Sequence, residues 1–164
     1  MMKEYLLYKI MDKLDKEILR LLQKNATIPL SELSKRVGIS TTPCWNRIKK
    51  MEEEKIIHSK ITVLNNNKIN LPLTAFLSIS IPNHTQKWLD NFNIIIQKYD
   101  QIIETHRVAG SSDYILKIVS PSMEEYDRFQ QILINEIECT NMRTSFSQKE
   151  IKKNYYLPLD YIKD

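Results

Sequence analysis

The chain has 164 residues with a net charge of +4, and its 42% hydrophobic and 27% charged content is typical of a folded globular protein rather than a disordered one. No apolar run approaches the roughly 20 residues of a membrane-spanning helix, and the start MMKEYLLYKIMDK lacks the apolar core of a signal peptide, so we expect a cytoplasmic protein. Cys44 and Cys139 have no CxxC or Cys/His cluster beside them, so we expect no zinc site and no disulfide, with both thiols reduced and buried.

The positive charge is concentrated in the first part of the chain. Residues 1–66 contain 13 Lys and Arg against 8 Asp and Glu, whereas residues 67–164 contain 11 against 12. A basic segment attracts an anionic polymer, and the near-neutral remainder has no such bias. The polar run Asn65–Asn67 suits a linker, so we predict two domains, residues 1–64 and 65–164.

The first domain is predicted to open with two helices. The first begins near Asp12 and forms one apolar face at three- and four-residue spacing, from Leu14, Ile18, Leu21 and Leu22. After a break at residues 25–27 the same spacing predicts a second helix of about two turns, with Pro29 in its first turn. Gly38 follows this helix directly, where a left-handed backbone angle would end it.

A third helix is predicted to follow the glycine. Three hydroxyl side chains offer caps for it, at Ser40, Thr41 and Thr42, and Pro43 fits its first turn. Its buried stripe consists of Cys44, Ile48 and Met51, and its opposite face of Asn46, Arg47, Lys49 and Lys50. Trp45 fits either a core position or a contact to DNA.

The two helices around Gly38 have the layout of a helix-turn-helix DNA reader. Between Ser34 and Lys50 there is no acidic residue and there are five cations: Lys35, Arg36, Arg47, Lys49 and Lys50. Hydroxyls and an amide near the start of the helix can reach base edges in the major groove, while cations further along meet phosphates. Beyond Lys55 the mixed alternation of Ile56–Leu64 predicts a β-hairpin or wing.

The second domain is predicted to fold in the order βαββαβ. A β-rich run from Leu71 precedes an amphipathic helix through Tyr99, and two further strands, Ile102–Val108 and Tyr114–Val119, flank a tight turn. A helix from Met123 and a last strand, from Met142 to about Ile151, complete the pattern. This order predicts a ferredoxin-like α+β fold, an antiparallel sheet with both helices on one face and the other face left for a partner.

Four segments give the chain a clear resemblance to the Lrp/AsnC (feast/famine) family of transcription regulators. They are MDKLDKEILRLLQKNA, ELSKRVGISTTPCWNRIKKMEEEKII, VAGSSDYILKI and MRTSFSQKEIK. The resemblance implies an N-terminal helix-turn-helix that binds double-stranded DNA and a C-terminal domain that forms homodimers, assembles them into octamers and often binds an amino acid.

The resemblance also implies roles for particular residues. The segment that enters the DNA groove corresponds to Ser40, Thr41, Thr42, Pro43, Asn46, Arg47, Lys49 and Lys50. The turn that lines the amino-acid pocket corresponds to Gly110, Ser112, Asp113 and Tyr114, with Val108 and Thr144 as wall positions. Asp113 could accept the ammonium of an amino acid, although a tight β-turn also simply requires such residues. Relatives usually carry a Leu-Pro-Gly-Val-like turn where this chain has Ile137–Thr140, so we expect either a different pocket wall or no ligand.

Two other classes of protein share features with this sequence. Siroheme decarboxylases have a similar architecture, but His58, His84 and His106 are scattered, and no catalytic or metal-binding constellation emerges, so we expect neither an enzyme nor a cofactor. A small-molecule-binding module whose helix-turn-helix has lost its affinity for DNA is the other alternative. The sequence favours a DNA-binding regulator over both.

Overall fold

A computed structural model describes residues 11–162, which divide between two compact units. The first unit runs through Thr62 and takes in the chain again from Lys152, while the second comprises Val63–Ile151. The C-terminal tail (residues 152–162) therefore groups with the first unit, whereas the sequence assigns it to the second domain. Residues 1–10 and 163–164 of the predicted domains lie outside the described residues. No helix of the described chain is long and apolar enough to cross a membrane.

Three helices form the first unit: α1 (Lys13–Lys24), α2 (Leu30–Val37) and α3 (Thr41–Glu53), as the apolar spacing predicts. Asp12 caps α1 in a capping box with Asp15, because each carboxylate accepts the backbone N–H of the other residue. The apolar faces of the three helices meet in one core, whose buried members are Ile18, Leu19, Leu33, Cys44 and Met51.

Gly38 sets the turn between α2 and α3. Its φ of +79° lies in the left-handed region, and its N–H donates to the carbonyls of Ser34 and Lys35. The N–H of Ile39 also donates to the Ser34 carbonyl, so the turn satisfies carbonyls that the end of α2 would otherwise leave unpaired. A side chain at position 38 would meet no neighbouring atom, so the positive φ alone accounts for glycine here.

The β-hairpin predicted at Ile56–Leu64 does not form, because this segment has no regular structure. Ile61, Val63 and Leu64 are exposed, so no neighbouring surface gives the alternating pattern a face to bury. A short 3₁₀ helix, Asn66–Ile69, follows instead, and the side chain of Asn65 caps it.

The second unit has the predicted βαββαβ order. Its elements are β1 (Leu73–Ser80), α4 (Gln86–Lys98), β2 (Ile102–Arg107), β3 (Tyr114–Ser120), α5 (Met123–Glu136) and β4 (Asn141–Phe146). The strands form one antiparallel sheet in the order β2-β3-β1-β4, which is the ferredoxin-like arrangement.

The register of the sheet separates its two faces. Leu77 pairs with Leu116 on one side and Thr144 on the other, and these side chains face α4 and α5. The core on this face includes Leu77, Leu116, Phe92 and Phe129. Neighbouring positions such as Phe76 point to the opposite face, which neither helix covers. This unit therefore has a sheet face available for a partner.

β4 is shorter than the sequence predicts. Its only ladder partner is β1, and Phe146 already pairs with Ala75, close to the start of that strand. One further hydrogen bond joins the Ser147 N–H to the Thr74 carbonyl. Beyond this point the backbone has no strand to pair with, so the predicted extension to Ile151 does not form.

The C-terminal tail lies along α1. Gln23 forms two hydrogen bonds with the backbone of Leu157, accepting its N–H at 2.7 Å and donating to its carbonyl at 3.3 Å. Arg20 pairs with Asp160 at 3.1 Å, and Lys16 donates to the carbonyl of Ile162 at 2.9 Å. Leu159 packs against the core of the three helices. These contacts explain why the tail groups with the first unit.

Candidate nucleic-acid interface and effector turn

One side of α3 packs in the core of the three helices, and the other side is exposed. Cys44 and Met51 are buried on the inner side, and Ile48 packs against the same core. Burial raises the pKa of the Cys44 thiol, as expected for a structural cysteine. The exposed face of α3 consists of Thr41, Thr42, Pro43, Trp45, Asn46, Lys49 and Lys50. The structure therefore brings together on one surface every residue predicted for the groove-entering segment except Ser40 and Arg47.

The start of α3 leaves its polar side chains free. Ser40 is the N-cap by backbone position, but its hydroxyl makes no capping hydrogen bond, contrary to the prediction from sequence. The side chains of Thr41, Thr42 and Asn46 likewise make no hydrogen bond within residues 11–162. These donors and acceptors are available to an external ligand, since no group in the described part of the chain uses them.

Arg47 is tied to the start of α1. Its Nη1 lies 2.7 Å from Asp12 Oδ2 and 2.7 Å from Asp15 Oδ1, and its side chain is 31% exposed. Hydrogen bonds to Asp15 and Asp12 raise the pKa of Arg47. The pKa of Asp12 is lowered, first by the backbone N–H of Asp15 and further by Arg47. Arg47 thus joins α3 to the capping box of α1, a role that the sequence analysis missed.

The five cations of the segment differ in what they can offer to a phosphate. Arg36 pairs with Glu32 on its own helix, and Arg47 pairs with α1. Within residues 11–162, Lys35 and Lys50 have no ionic partner, and Lys49 has only an aromatic one. The ammonium of Lys49 lies 4.9 Å from the ring centroid of Trp45, one helical turn before it. Three of the five positive charges are therefore free of carboxylates.

In the second unit, Val108, Gly110, Ser112 and Asp113 share the turn between β2 and β3. Gly110 adopts a φ of +155°, and the Val108 N–H donates to the Asp113 carbonyl at 2.9 Å. The Asp113 carboxylate accepts the backbone N–H of Ile81 at 2.9 Å and lies 3.2 Å from Nε2 of His84. Its oxygens therefore already link the turn to the segment that follows β1.

Tyr114 and Thr144 lie apart from the exposed part of the turn. Tyr114 is 5% exposed, and its ring packs against those of Trp88 and Phe92 on the helix side of the sheet. Its buried hydroxyl has no hydrogen-bond partner within residues 11–162. Thr144 lies on β4, two strands from β3, and its hydroxyl bonds to that of Tyr126 at 2.7 Å. Within one copy, these two predicted effector residues do not join the turn in a single pocket.

The described residues contain no group of three or more His, Cys, Asp and Glu side chains that could hold a metal ion. His84 contacts Asp113, and His106 lies 3.6 Å from Glu104 on its own strand. The titratable groups with altered pKa values belong to ion pairs and core positions on separate elements. Glu104, for example, has its pKa lowered by a hydrogen bond from Lys117 across the sheet.

Comparison with known proteins supports both halves of this arrangement. Residues 11–58 match a winged helix-turn-helix DNA-binding domain, and residues 74–157 match the Lrp/AsnC ligand binding domain. The glutamate uptake regulatory protein of Zymomonas mobilis is 39% identical over 154 residues, which cover 94% of each chain.

Solved structures show the same fold. An AsnC family transcriptional regulator from Agrobacterium tumefaciens has a TM-score of 0.89 at 39% identity, covering 93% of this chain and 99% of that one. A transcriptional regulator from Neisseria meningitidis, crystallised in complex with L-Met, has a TM-score of 0.87 at 30% identity, covering 92% and 97%.

Proposed function

The chain belongs to the Lrp/AsnC family and is a DNA-binding transcriptional regulator of that type, and from this premise we propose that α3 enters the major groove with its exposed face against the bases. The observation behind the proposal is the division of α3 between a buried side and a polar side. The hydroxyls, amide and lysines of the polar side have no hydrogen-bonding or ionic partner within residues 11–162. Such a helix presents donors, acceptors and positive charges that can exchange water for the polar edges and phosphates of DNA.

The position of each group along α3 suggests its partner. Ser40, Thr41 and Thr42 lie at the N-terminus, where side chains of a reader helix meet base edges, and Pro43 shapes the same turn. Asn46 can form two hydrogen bonds with the N6 and N7 of adenine. Lys49 and Lys50 follow at the C-terminal half and reach phosphates. Arg47 contributes by holding α3 on α1, which fixes the angle at which the other groups approach.

Dimerisation follows from the weakness of a single reader. One helix makes few base contacts, whereas a symmetric dimer doubles them and turns half-site spacing into part of the recognition. The sheet face opposite α4 and α5 presents Phe76, Ile115 and an ion pair between Lys117 and Glu104, whose atoms lie 2.7 Å apart. We expect two such faces to bury one another in a homodimer, with octamers as the larger assembly.

A Phe76→Arg variant tests the dimer by sedimentation velocity. The wild-type chain is expected to sediment as a dimer or a larger assembly, and the variant as smaller species, because it places a charge in an apolar interface. Asp90→Arg on the exposed side of α4 is the charge-changing control. Identical assemblies for all three proteins would rule out this sheet face as the interface.

An amino-acid effector is proposed to bind at the turn formed by residues 108–113. The relative solved with L-Met supports a ligand of this class. Asp113 would then share its carboxylate between the ligand ammonium, His84 and the Ile81 N–H, and a second copy would supply the wall that one copy lacks. Thermal shifts with the twenty amino acids test this, since a ligand at 100 times its Kd stabilises by about 2.7 kcal/mol. If none of the twenty amino acids changed the unfolding temperature, the effector proposal would be refuted.

The proposal that α3 enters the groove is tested by replacing the two lysines of α3 together. Lys49→Ala with Lys50→Ala should lower the affinity for an operator obtained by in vitro selection and flatten its salt dependence between ~50 and ~200 mM. Each lost phosphate contact changes the slope by about 0.9. Lys68→Ala with Lys87→Ala removes the same charge from exposed positions of the second unit. Equal effects of the two double substitutions, or none from the first, would refute the assignment.

Membership of the family also argues against an enzyme on the same architecture. The relatives reported above are named as regulators, and a siroheme-decarboxylase-like enzyme finds no support among them. We accordingly propose a regulator without catalytic activity, acting on DNA in the cytoplasm.

A further inference from the structure

Trp45 is an apolar side chain in the middle of the polar face of α3. It is 48% exposed, and it is absent from the residues that pack on the core of the three helices. It lies one turn after Thr41 and one turn before Lys49, next to Asn46. The structure therefore excludes the core position that the sequence left open for this tryptophan.

The other tryptophan of the chain shows what a structural role looks like. Trp88 is buried, stacks on Phe92 with ring centroids 4.7 Å apart, and donates from Nε1 to the Glu138 carbonyl at 2.6 Å. Trp45 has no ring partner within residues 11–162, and its Nε1 makes no hydrogen bond there. The Lys49 ammonium lies over the ring, 4.9 Å from its centroid. The exposed part of the indole is available to a ligand.

The groups on the base edges of the major groove limit which of them an indole can contact favourably. Base edges present hydrogen-bond donors and acceptors, and the apolar feature among them is the C5-methyl group of thymine. An indole offers one donor and a large apolar surface, so it gains most where it covers an apolar group. We propose that Trp45 packs against the C5-methyl of a thymine in each half-site and thereby selects a T·A pair at that position.

Lys49 has a second role in this arrangement. A cation held over the ring fixes the plane of the indole while the ammonium itself remains exposed to meet a phosphate. Trp45 would therefore read a base beside the phosphate that Lys49 contacts. This inference rests on the proposed entry of α3 into the groove, and its test is designed to separate the two.

Replacing thymine by uracil removes the methyl group and leaves every hydrogen-bonding atom in place. In a selected operator, one such replacement in a single half-site should weaken binding of the wild-type chain by about fourfold, the effect of one buried methyl. The same replacement should have no effect on Trp45→Ala. Asn46→Ala serves as the matched variant, because it should lose affinity but keep the response to uracil.

One further variant and a fluorescence measurement define the contact. Trp45→Phe keeps an apolar ring but has no N–H donor. It should retain most of the response to uracil if the ring covers the methyl group, and it should not if the contact depends on donation from Nε1 to a phosphate. Fluorescence emission of the wild-type chain, compared with Trp45→Phe, isolates the signal of Trp45 from that of buried Trp88. Operator DNA should change this difference signal.

Three results would overturn the inference: no response of the wild-type chain to uracil at any thymine, an equal response in Trp45→Ala, or a Trp45 emission that bound DNA leaves unchanged. Failure of the groove assignment appears differently. It would show as unaltered DNA binding by the Lys49 and Lys50 double variant, and it would remove both proposals together.

Discussion

Replacing Arg47 by methionine separates a structural role from a DNA contact at the same residue. The change keeps an unbranched but shorter side chain without charge and removes both hydrogen bonds, each 2.7 Å long, to Asp12 and Asp15. It also leaves two carboxylates close together in the capping box of α1. If the structural role dominates, the three-helix unit should lose stability, while the number of phosphate contacts should stay constant.

The size of the effect follows from the exposure of the pair. Ion pairs at exposed sites contribute about 0.2–1 kcal/mol each, and Asp15, at 19% exposure, is the more sheltered partner. Two such contacts together give about 1 kcal/mol, which corresponds to a fall of about 4–8 °C in the unfolding temperature of a small domain. Arg36→Met is the control, because Arg36 has one exposed partner on its own helix, worth about 0.3–0.5 kcal/mol.

The pH dependence gives a second readout. The pKa of Asp12 is lowered in the folded chain, so its contribution is fully present above the ordinary value of 3.8 and is lost as the pH falls below it. The difference in unfolding temperature between the wild-type chain and Arg47→Met should therefore be constant near neutral pH and shrink in acid. Thermal unfolding followed by circular dichroism measures both quantities.

The same variant should leave the salt slope of DNA binding unchanged. An unfolding temperature within about 1 °C of wild type, together with a salt slope smaller by about 0.9, would refute the reasoning. That result would mean that Arg47 leaves the carboxylates to meet a phosphate.

Three other predictions concern stability and are measured by thermal or urea unfolding. Gly38→Ala forces a left-handed backbone angle on a residue with a Cβ and should cost about 1–2 kcal/mol, with weaker operator binding as a consequence; no loss would show that the turn relaxes. Gln23→Ala removes both hydrogen bonds to the C-terminal tail and should cost about 1 kcal/mol, and its effect should vanish in a chain truncated after Lys152. Tyr114→Phe removes a buried hydroxyl without a partner and should be neutral or stabilising, whereas Tyr126→Phe removes a bonded one and should cost about 1 kcal/mol; the reverse order would contradict this assignment of partners.

Local signals in the sequence predicted the helices and the strand order well. Asp12 as a cap, Gly38 as a stop and the three- and four-residue apolar spacing are properties of a few consecutive residues, and α1, α2 and α3 follow them. The βαββαβ pattern likewise identified the sheet of the second unit. In each case the short-range preference and the final packing agree, so the pattern was sufficient.

The features that sequence reasoning missed depend on distant partners. Arg47 meets Asp12, 35 positions earlier, and no helical periodicity links the two. The tail meets Gln23 across 134 positions. β4 ends near Phe146 because β1 offers no further backbone, and Ile61 forms no strand because no surface lies beside it. The exposure of Trp45 could have been read from its place one turn from Thr41 and Lys49, whereas the paired state of Arg47 could not.

The central claim is that the exposed face of α3 reads bases, and Asn46 tests it most directly. In vitro selection followed by sequencing should be carried out with the full-length chain and with Asn46→Ala, at one salt concentration. A base contact of this kind is worth about 1–3 kcal/mol of discrimination, so the variant should lose the preference at one base pair in each half-site and keep the others. Two identical selected motifs would contradict the account.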